Sequence, residues 1–360
     1  MKVIISAGGT GGHIYPALSM IHKIKEVEPQ SEFLYIGTTD RMEHTIIPKE
    51  GIPYLGISIS GINRKHLFKN FKVLKDYRQS VKTLRKKMKE FNPDIVLGVG
   101  GYVTAPVVST AKKLGYKTLI HEQNLIPGIS NKFLSKYADR IGVSLEKSMQ
   151  YFPKKKVFFS GNPRSEEIQK VKAISKKELG LSEKKQLVLI VMGSLGSTTM
   201  NQKLKEILPA LKDKKYEVIL VTGKEYYEWF QKENIPNNVK VVPYLDQMLG
   251  VLKSTDLIVT RAGASTIAEI TSIGLPSIMV PSPYVTHNHQ FKNATALKEQ
   301  GATEIIEEKD FTKETLIEKI DFILNDRKVY EKMKKSAKAL GVEDSATRIY
   351  KEIRTLIDGE

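Results

Sequence analysis

Four short apolar runs of the sequence pass directly into turns that contain glycine. The turns occupy residues 8–13 (Gly-Gly-Thr-Gly-Gly-His), 98–102 (Gly-Val-Gly-Gly-Tyr), 193–197 (Gly-Ser-Leu-Gly-Ser) and 261–266 (Arg-Ala-Gly-Ala-Ser-Thr). A glycine has no Cβ, so the backbone can approach a phosphate group closely and adopt a positive φ. A helix that follows such a turn attracts the same anion with its N-terminal N–H groups and its dipole. The pattern therefore predicts that turns in both halves of the chain bind phosphate-containing ligands.

The first turn does not have the spacing of the two best-known phosphate-binding motifs. Gly8, Gly9, Gly11 and Gly12 form Gly-Gly-Thr-Gly-Gly, whereas dinucleotide-binding turns read Gly-x-Gly-x-x-Gly. No lysine follows in the way that a P-loop requires. The spacing disfavours a nicotinamide oxidoreductase and a nucleoside triphosphatase.

Two histidines near predicted strand ends are candidates for proton transfer. His13 closes the first glycine turn, and because an imidazole is largely neutral near pH 7 it can act as a general base. His121 and Glu122 form a second pair at the end of another predicted strand. Two structural alternatives stay open: His13 caps its own loop, and the His121–Glu122 pair braces one.

Twelve β-rich apolar runs alternate with longer segments of helical periodicity. Many of the runs are continuous rather than alternating, which is typical of strands buried on both faces of a parallel sheet. The predicted strands are 2–7, 32–36, 94–99, 117–120, 140–143, 156–160, 186–192, 217–222, 239–242, 256–260, 277–280 and 303–306. This order predicts an α/β, doubly wound architecture, in which ligands lie at the carboxyl ends of the strands.

The alternation breaks near residues 161–163, where Gly-Asn-Pro interrupts it, and a length of 360 residues favours two domains. We predict one Rossmann-like domain over residues 1–162 and a second over residues 163–342. A final amphipathic helix over residues 343–360, with Asp344 or Ser345 as its N-cap, is expected to return to the N-terminal domain.

The composition excludes several functions and contains one anomaly. The chain has no cysteine, which excludes a disulfide framework, a thiolate metal site and a cysteine nucleophile. The net charge is +17, and residues 61–90 alone combine eleven basic with two acidic side chains. This segment predicts an anionic neighbour: nucleic acid, an acidic membrane or a phosphorylated substrate. No signal peptide or membrane-spanning helix is predicted, because the longest apolar run is 187–192.

Together, the motifs resemble those of the MurG family within glycosyltransferase family 28, in order and spacing along nearly the whole chain. Residues 7–17 resemble its opening signature, 98–106 its second glycine loop and 121–131 its His-Glu-Gln-Asn segment. The C-terminal half adds 161–164, 193–197, 261–269 and 289–294. Two departures are present, since the third turn begins Met-Gly-Ser instead of Gly-Gly-Ser, and Arg164 stands one place earlier than in Asn-Pro-x-Arg.

The resemblance implies a GT-B fold, in which two domains face a central cleft, and an inverting glycosyl transfer. The donor would be UDP-N-acetylglucosamine, and the acceptor the 4-hydroxyl of undecaprenyl-diphospho-N-acetylmuramoyl-pentapeptide (lipid I). The product, lipid II, serves peptidoglycan synthesis, and with it cell shape and cell division in bacteria. The resemblance also implies a peripheral position at the cytoplasmic face of the membrane, and cell-wall synthesis proteins as partners.

Site residues follow from the same resemblance. The substrate-binding set is Thr10, Gly11, Gly12, Asn124, Arg164, Ser194, Leu245, Ala264, Ser265, Thr266, Glu269 and Gln290. Within this set, Glu269 would accept both ribose hydroxyls, the Leu245 backbone would hold uracil, and Gln290 would bind the sugar. The loop for the acceptor and its diphosphate is Gly98, Gly100, Gly101 and Tyr102, and the catalytic set is His13, His121 and Glu122. The structural alternative for Glu269 is a capping box with Thr266 as N-cap.

Residues 62–75 interleave apolar and basic side chains, as helices on anionic membranes do. The membrane-binding candidates are Arg64, Lys65, Leu67, Phe68, Lys69, Phe71 and Lys72. The alternative is a surface helix whose apolar face packs on a sheet.

No Asp-x-Asp pair and no His-Glu-x-x-His motif occurs in the sequence. We therefore expect no required metal or other cofactor, while stimulation by Mg²⁺ stays open. Two further functions compete with the transferase. A UDP-sugar epimerase or hydrolase on the same fold would share the nucleotide site but would need no membrane-facing segment. A nucleic-acid-binding protein is suggested by charge alone and would need more stacking aromatic residues in the basic segment.

Overall fold

The structure, a computed structural model, describes residues 1–59, 70–193, 196–285 and 288–359, and for residues 70–76 only the helical backbone. The strands are β1 (Lys2–Ser6), β2 (Glu32–Thr38), β3 (Tyr54–Ile57), β4 (Ile95–Gly98), β5 (Lys117–Glu122), β6 (Arg140–Val143), β7 (Val157–Phe159), β8 (Leu187–Val191), β9 (Glu217–Val221), β10 (Val239–Val242), β11 (Leu257–Thr260), β12 (Ser277–Met279) and β13 (Glu304–Ile305). All twelve predicted strands are confirmed, and β3 is the strand that the sequence analysis missed.

Helices connect these strands throughout the described residues. They are α1 (Gly11–Val27), α2 (Met42–Lys49), α3 (Asn70–Phe91), α4 (Thr104–Lys113), α5 (Ile129–Leu134), α6 (Arg164–Lys170), α7 (Thr198–Ile207), α8 (Tyr227–Phe230), α9 (Met248–Leu252), α10 (Ala264–Ile273), α11 (His289–Lys298), α12 (Lys313–Asn325), α13 (Arg327–Ala339) and α14 (Ser345–Asp358). Short 3₁₀ helices cover Glu146–Tyr151, Leu208–Leu211 and Glu308–Asp310. No helix within the described ranges has both the length and the apolar character that crossing a membrane requires.

The chain divides into two compact units. The N-terminal unit comprises Met1–Arg164 together with Asp344–Glu360, and the C-terminal unit comprises Ser165–Glu343. The boundary expected after residue 162 lies two residues before this division. Helix α14 lies in the N-terminal unit, where Ile349 and Ile353 join the core beneath α1 and Tyr350 donates a hydrogen bond to Glu28, 2.7 Å away. Asp344 is the N-cap of this helix.

Each unit is built on a parallel sheet. The strand order is β3-β2-β1-β4-β5-β6-β7 in the N-terminal unit and β10-β9-β8-β11-β12-β13 in the C-terminal unit. Successive residues of the central strands belong to different core clusters. Val3 and Ile5 lie in one and Ile4 in another, and likewise Val188 and Leu189 lie in different clusters. Both faces of each sheet are therefore covered, which explains why the strands read as continuous apolar runs.

Helix α3 shows how the basic segment of the chain is accommodated over its described part. Ser80, Leu84 and Met88 are buried at helical spacing, with Leu84 and Met88 in the core of the N-terminal unit. The opposite face is exposed and predominantly basic, with Gln79, Glu90 and six cations: Arg78, Lys82, Arg85, Lys86, Lys87 and Lys89. The helix thus packs on the sheet through one stripe and presents a mainly basic surface on its other side.

Candidate functional site

The four glycine turns lie at the switch point of each sheet, where the strand order reverses. In the N-terminal unit the order reverses between β1 and β4, and the first and second turns follow these two strands. In the C-terminal unit it reverses between β8 and β11, which the third and fourth turns follow. Open α/β sheets bind ligands at this position, because the two loops diverge there and leave a crevice. Each unit therefore carries one such candidate site.

The two glycine turns of the N-terminal unit are in direct contact. The N–H of Gly8 donates to the carbonyl of Gly100 at 3.2 Å, and the N–H of Val99 donates to the carbonyl of Ser6 at 2.8 Å. Gly101 has φ of +90°, and a Cβ there would lie 2.5 Å from the Gly8 carbonyl oxygen. Only glycine fits that approach, so the second turn is shaped to pack against the first.

His13 lies in the first turn of α1, beside both glycine turns. Its Nδ1 is 3.0 Å from the carbonyl oxygen of Gly8, which can only accept a hydrogen bond. This contact requires the proton on Nδ1 in the neutral ring and assigns the lone pair to Nε2. A Cβ on Gly100 would lie 2.9 Å from Nε2, so the second turn runs alongside the basic nitrogen. The side chain is half-buried. This arrangement suits a general base.

His121 and Glu122 are placed differently, at the end of β5 and out of contact with solvent. The ring of His121 is fully buried; Gln123 donates to Nδ1 at 3.1 Å, and Nε2 donates to the Gly161 carbonyl at 3.0 Å. Burial lowers the pKa of His121 to about 4, because the imidazolium would lose its hydration. The ring is therefore neutral and has hydrogen-bond partners at both nitrogens.

The carboxylate of Glu122 organises the loop that follows β5. Oε1 accepts from the backbone N–H of Asn124 at 2.9 Å and from its side-chain amide at 3.2 Å. Oε2 accepts from the N–H of Gly128 and from the side chain of Asn131, both at 2.9 Å. These contacts fit the bracing role that the sequence left open for this pair. Asn131 is a residue to which the sequence analysis gave no role, although it lies within the His-Glu-Gln-Asn segment.

The remaining predicted residues of the N-terminal unit lie around these loops. Thr10 precedes α1 as its N-cap and is exposed, and Gly11 and Gly12 are the first residues of the helix. Gly98 ends β4, and Tyr102 lies within hydrogen-bonding reach of Arg41, whose pKa this contact raises. Arg164 ends the first segment of the unit, and its guanidinium lies over the ring of Tyr15, 5.2 Å from the centroid. Asn124 is half-buried in the loop that Glu122 holds.

The fourth glycine turn, in the C-terminal unit, opens directly into α10. Gly263 is the N-cap, with φ −73° and ψ 139°, and Ala264, Ser265 and Thr266 form the first helical turn. The alternative in which Thr266 is the N-cap of a capping box is therefore wrong, because the helix begins three residues earlier than that motif requires. Glu269 lies one turn further along and is buried. The N–H groups at this helix start form an anion-binding end.

Arg261, in the fourth turn, forms a buried ion pair with Glu308 and also reaches the third turn. Arg261 is 2.6 Å from the carboxylate of Glu308, and both side chains are almost fully buried. The same guanidinium donates to the Val280 carbonyl at 3.1 Å and lies 3.4 Å from the hydroxyl of Ser197. Ser197 in turn caps the N-terminus of α7. The sequence analysis quoted Arg261 in a motif but gave it no role, and Glu308 was not singled out.

Two further predicted residues lie on loops of the C-terminal unit. Leu245 is half-buried in the loop after β10, beside the exposed Tyr244. Gln290, in the first turn of α11, accepts a hydrogen bond from the N–H of Ser282 at 2.8 Å through Oε1. The amide oxygen of Gln290 is thus engaged within the unit, and its NH₂ group can act only as a donor.

Some predicted residues fall outside this description. Ser194 and the membrane candidates Arg64, Lys65, Leu67, Phe68 and Lys69 lie outside the described residues, and only the helical backbone is described for Phe71 and Lys72. Among the described residues, no group of three or more His, Asp or Glu side chains is arranged to hold a metal ion.

Comparison with known proteins identifies the family. Residues 3–143 match the glycosyltransferase family 28 N-terminal domain, and residues 187–349 match the glycosyltransferase family 28 C-terminal domain. A Bacillus cereus protein named UDP-N-acetylglucosamine–N-acetylmuramyl-(pentapeptide) pyrophosphoryl-undecaprenol N-acetylglucosamine transferase 1 is 45% identical, over 99% of this chain and 100% of its own length.

Two solved structures resemble the chain in fold. Acinetobacter baumannii MurG has a TM-score of 0.77 at 27% identity, covering 98% of this chain and 99% of its own. A Listeria monocytogenes protein described as a putative UDP-N-acetylglucosamine 2-epimerase has a TM-score of 0.74, with coverage of 99% and 97%, but at 16% identity it shares the fold alone. Given the identity to the Bacillus protein over the full length, the chain belongs to the MurG family of N-acetylglucosamine transferases within glycosyltransferase family 28.

Proposed function

We propose that this protein transfers N-acetylglucosamine from UDP-N-acetylglucosamine to the 4-hydroxyl of undecaprenyl-diphospho-N-acetylmuramoyl-pentapeptide, with inversion at the anomeric carbon. The observation that carries the proposal is the 45% identity, along the whole chain, to a transferase of that name. The site geometry supports it, because each unit has glycine turns at a sheet switch point, where phosphate-containing substrates bind.

In the proposed mechanism, His13 is the general base. Its Nε2 takes the proton of the acceptor hydroxyl while that oxygen bonds to the anomeric carbon. The bond from the anomeric carbon to the UDP oxygen breaks on the opposite face, and UDP leaves with the electron pair. The contact from Nδ1 to the Gly8 carbonyl supports this role, because it holds the ring in the tautomer that has its lone pair on Nε2.

The leaving diphosphate is stabilised, in this proposal, by the C-terminal unit. The backbone N–H groups of Ala264, Ser265 and Thr266 at the start of α10 supply donors and the positive end of a helix dipole. Ser194 also contacts the diphosphate. Glu269 accepts hydrogen bonds from the ribose hydroxyls, and the backbone of Leu245 binds the uracil. Gln290 binds the sugar. Because main-chain amides can supply this stabilisation, we propose that no metal is required.

The acceptor side belongs, in this proposal, to the N-terminal unit. The second turn, Gly98 to Tyr102, binds the acceptor diphosphate, and Thr10, Gly11, Gly12 and Asn124 contact the sugar. His121 and Glu122 act as positioning residues, since both side chains are buried and hydrogen-bonded within the unit.

A transfer assay tests the function directly. Purified protein is incubated with radiolabelled UDP-N-acetylglucosamine and a lipid I analogue, with EDTA in one arm and Mg²⁺ in another. Label in the lipid product in both arms is the expected result. Failure to label this acceptor while UDP still binds would contradict the transferase assignment and favour an epimerase or hydrolase.

The nucleotide site can be tested separately by calorimetric titration with UDP. Glu269→Gln should weaken UDP binding by about 10-fold or more, because ribose hydroxyls would lose a charged acceptor. The matched control is Glu318→Gln, which makes the same change at an exposed position of α12. Equal affinities in the two variants would remove Glu269 from the ribose site.

We also propose that residues 62–75 bind an anionic membrane surface, where the lipid-linked acceptor lies. The exposed basic face of α3 supports this, because it extends the positive charge beyond that segment. Vesicles containing phosphatidylglycerol should sediment the wild-type protein but not the variant with Lys65, Lys69 and Lys72 changed to Glu. The control changes Lys184, Lys212 and Lys215, which are exposed in the C-terminal unit, to Glu. Equal loss of binding in both variants would show a response to net charge alone.

A further inference from the structure

Glu43 is a fully buried carboxylate directly behind the first glycine turn. It lies in the first turn of α2, the helix that follows β2, and is 0% exposed. Its Oε1 accepts from the N–H of Thr38 at 3.1 Å and from the hydroxyl of Thr38 at 2.8 Å. Its Oε2 accepts from the N–H of Gly9 at 3.1 Å. A buried carboxylate is costly unless such donors satisfy it, so these contacts must all form in the folded protein.

Two glycines beside Glu43, Gly8 and Gly37, leave space for its side chain because they have no Cβ. A Cβ added to Gly8 would clash with Oε1 of Glu43, and a Cβ added to Gly37 would lie 2.7 Å from its Cγ. No positive φ is recorded for Gly8 or Gly37, so the backbone conformation does not require glycine there. Space for the Glu43 carboxylate accounts for Gly8, and space for Glu43 together with the Tyr54 hydroxyl accounts for Gly37.

The first glycine turn is held on both sides of Gly8. The hydroxyl of Tyr35 donates to the carbonyl of Ala7 at 3.0 Å, and Glu43 accepts from the N–H of Gly9. Between these anchors, the carbonyl of Gly8 accepts from Nδ1 of His13. The conformation of residues 7–9 therefore sets the direction of the carbonyl that orients the His13 ring.

We propose that Glu43 is a positioning residue for the transfer reaction, an inference that rests on the proposed function. It holds Gly9 so that the Gly8 carbonyl orients His13 and the N–H groups at the start of α1 face the acceptor. Glu43 lies beneath the loop and leaves substrate contact to the loop itself. Its loss should slow the chemical step and leave UDP binding by the C-terminal unit unchanged.

The test compares two variants that remove different parts of the Glu43 cluster. In Glu43→Gln, one half of the carboxylate becomes an NH₂ group, so one of the two backbone N–H donors loses its acceptor whichever way the amide is oriented. We expect kcat to fall by about 10- to 100-fold, because small misplacements of a reacting group have effects of this size. UDP affinity should change by less than about twofold, since the donor contacts are untouched.

Thr38→Val is the matched control. It removes one hydrogen bond to Oε1 but leaves the contact between Glu43 and Gly9, so kcat should stay within about threefold of wild type. Gly8→Ala provides a second route if Glu43→Gln folds poorly. Its methyl group displaces the carboxylate from the other side, and kcat should fall as in Glu43→Gln.

Hydrogen exchange of the peptide that contains residues 8–13 gives a readout that does not depend on activity. Its amides should exchange faster in Glu43→Gln than in wild type, and at the wild-type rate in Thr38→Val. An unchanged kcat in Glu43→Gln, or equal losses of kcat in Glu43→Gln and Thr38→Val, would overturn the proposal. If the wild-type protein transfers no sugar, the proposed function fails, and the exchange rates still decide whether Glu43 positions the turn.

Discussion

The N-terminal unit has one histidine in the helix that follows β1 and another near the end of β5, and the two differ in burial and in hydrogen-bond partners. His13 comes after β1, in the first turn of α1, and is half-buried with its Nδ1 on a loop carbonyl. His121 is part of β5 itself, fully buried, with hydrogen bonds at both ring nitrogens. A side chain within a strand packs between the sheet and its covering layer, whereas one in the following helix start lies at the crevice.

This difference indicates that position relative to the strand end determines what a histidine can do. An imidazole whose Nδ1 donates to a loop carbonyl has its lone pair on Nε2. When that ring lies near the crevice, Nε2 can take a proton from a substrate. A ring engaged inside the layers organises the next loop instead. Substitutions at the two strand ends should therefore separate catalysis from stability.

The largest expected effect is on catalysis at His13. In His13→Asn the side-chain amide can still donate to the Gly8 carbonyl, but no basic nitrogen remains. We expect kcat to fall by about 10²- to 10⁴-fold, the usual contribution of a general base, with little change in the free energy of unfolding. The measurement is steady-state transfer together with urea unfolding. A kcat near that of wild type would exclude His13 as the base.

The next largest effect is on stability at His121. His121→Ala removes buried volume and leaves the Gly161 carbonyl and the Gln123 amide without this partner. We expect the free energy of unfolding to fall by about 2–4 kcal/mol. If His121→Ala instead matched wild-type stability and lost activity as His13→Asn does, the contrast between the two strand ends would be wrong.

A smaller effect is expected at Glu122. In Glu122→Gln one carboxylate oxygen is replaced by an NH₂ group. In one orientation the NH₂ group faces the donors of Asn124, and in the other it faces those of Gly128 and Asn131. At least one N–H therefore loses its acceptor. We expect a loss of about 1–3 kcal/mol in urea unfolding. Glu146→Gln, at an exposed position of the next 3₁₀ helix, is the control and should change stability by less than about 0.5 kcal/mol.

The smallest effect concerns pH. The pKa of His121 is lowered to about 4 in the folded protein, below its ordinary value of 6.5. Between these two pH values the unfolded chain binds a proton that the folded chain does not, so stability falls as the pH falls. His121 should contribute up to about 1.4 kcal/mol per pH unit to this slope. Unfolding free energies at pH 7.5 and 5.5 should differ less in His121→Ala than in wild type, and equal differences in the two proteins would contradict this role of His121.

Much of the fold could be predicted from the sequence, because parallel strands buried on both faces leave a strong signal. The strand β3 was missed because it is a half-buried strand at the edge of its sheet, only four residues long, with Pro53 before it and Gly56 within it. The start of α10 was also misjudged. Thr266 and Glu269 have the spacing of a capping box, but Gly263 is the residue with extended N-cap geometry.

The candidate site likewise combines residues that a short stretch of sequence identifies with residues that only the folded structure identifies. Glycine turns and His13 could be identified from residue type and spacing, since both depend on a short stretch of chain. Glu43 could not be assigned, because its contact with Gly9 joins residues 34 positions apart through the pairing of β1 with β2. One signal was available in the sequence: Glu43 is an acidic residue that follows β2 closely, and β2 pairs with the strand that leads into the first glycine turn.

The element order, the parallel sheets and the turns that can bind phosphate were predictable from the residues alone, because these features depend on periodicity and on backbone freedom at glycine. Which titratable groups lie at the crevice, and which are buried beneath it, depends on the folded chain. Burial and hydrogen-bond partners come from strands and helices that are distant in the chain. Those contacts, rather than residue type, separate His13 from His121 and place the carboxylate of Glu43 behind the loop.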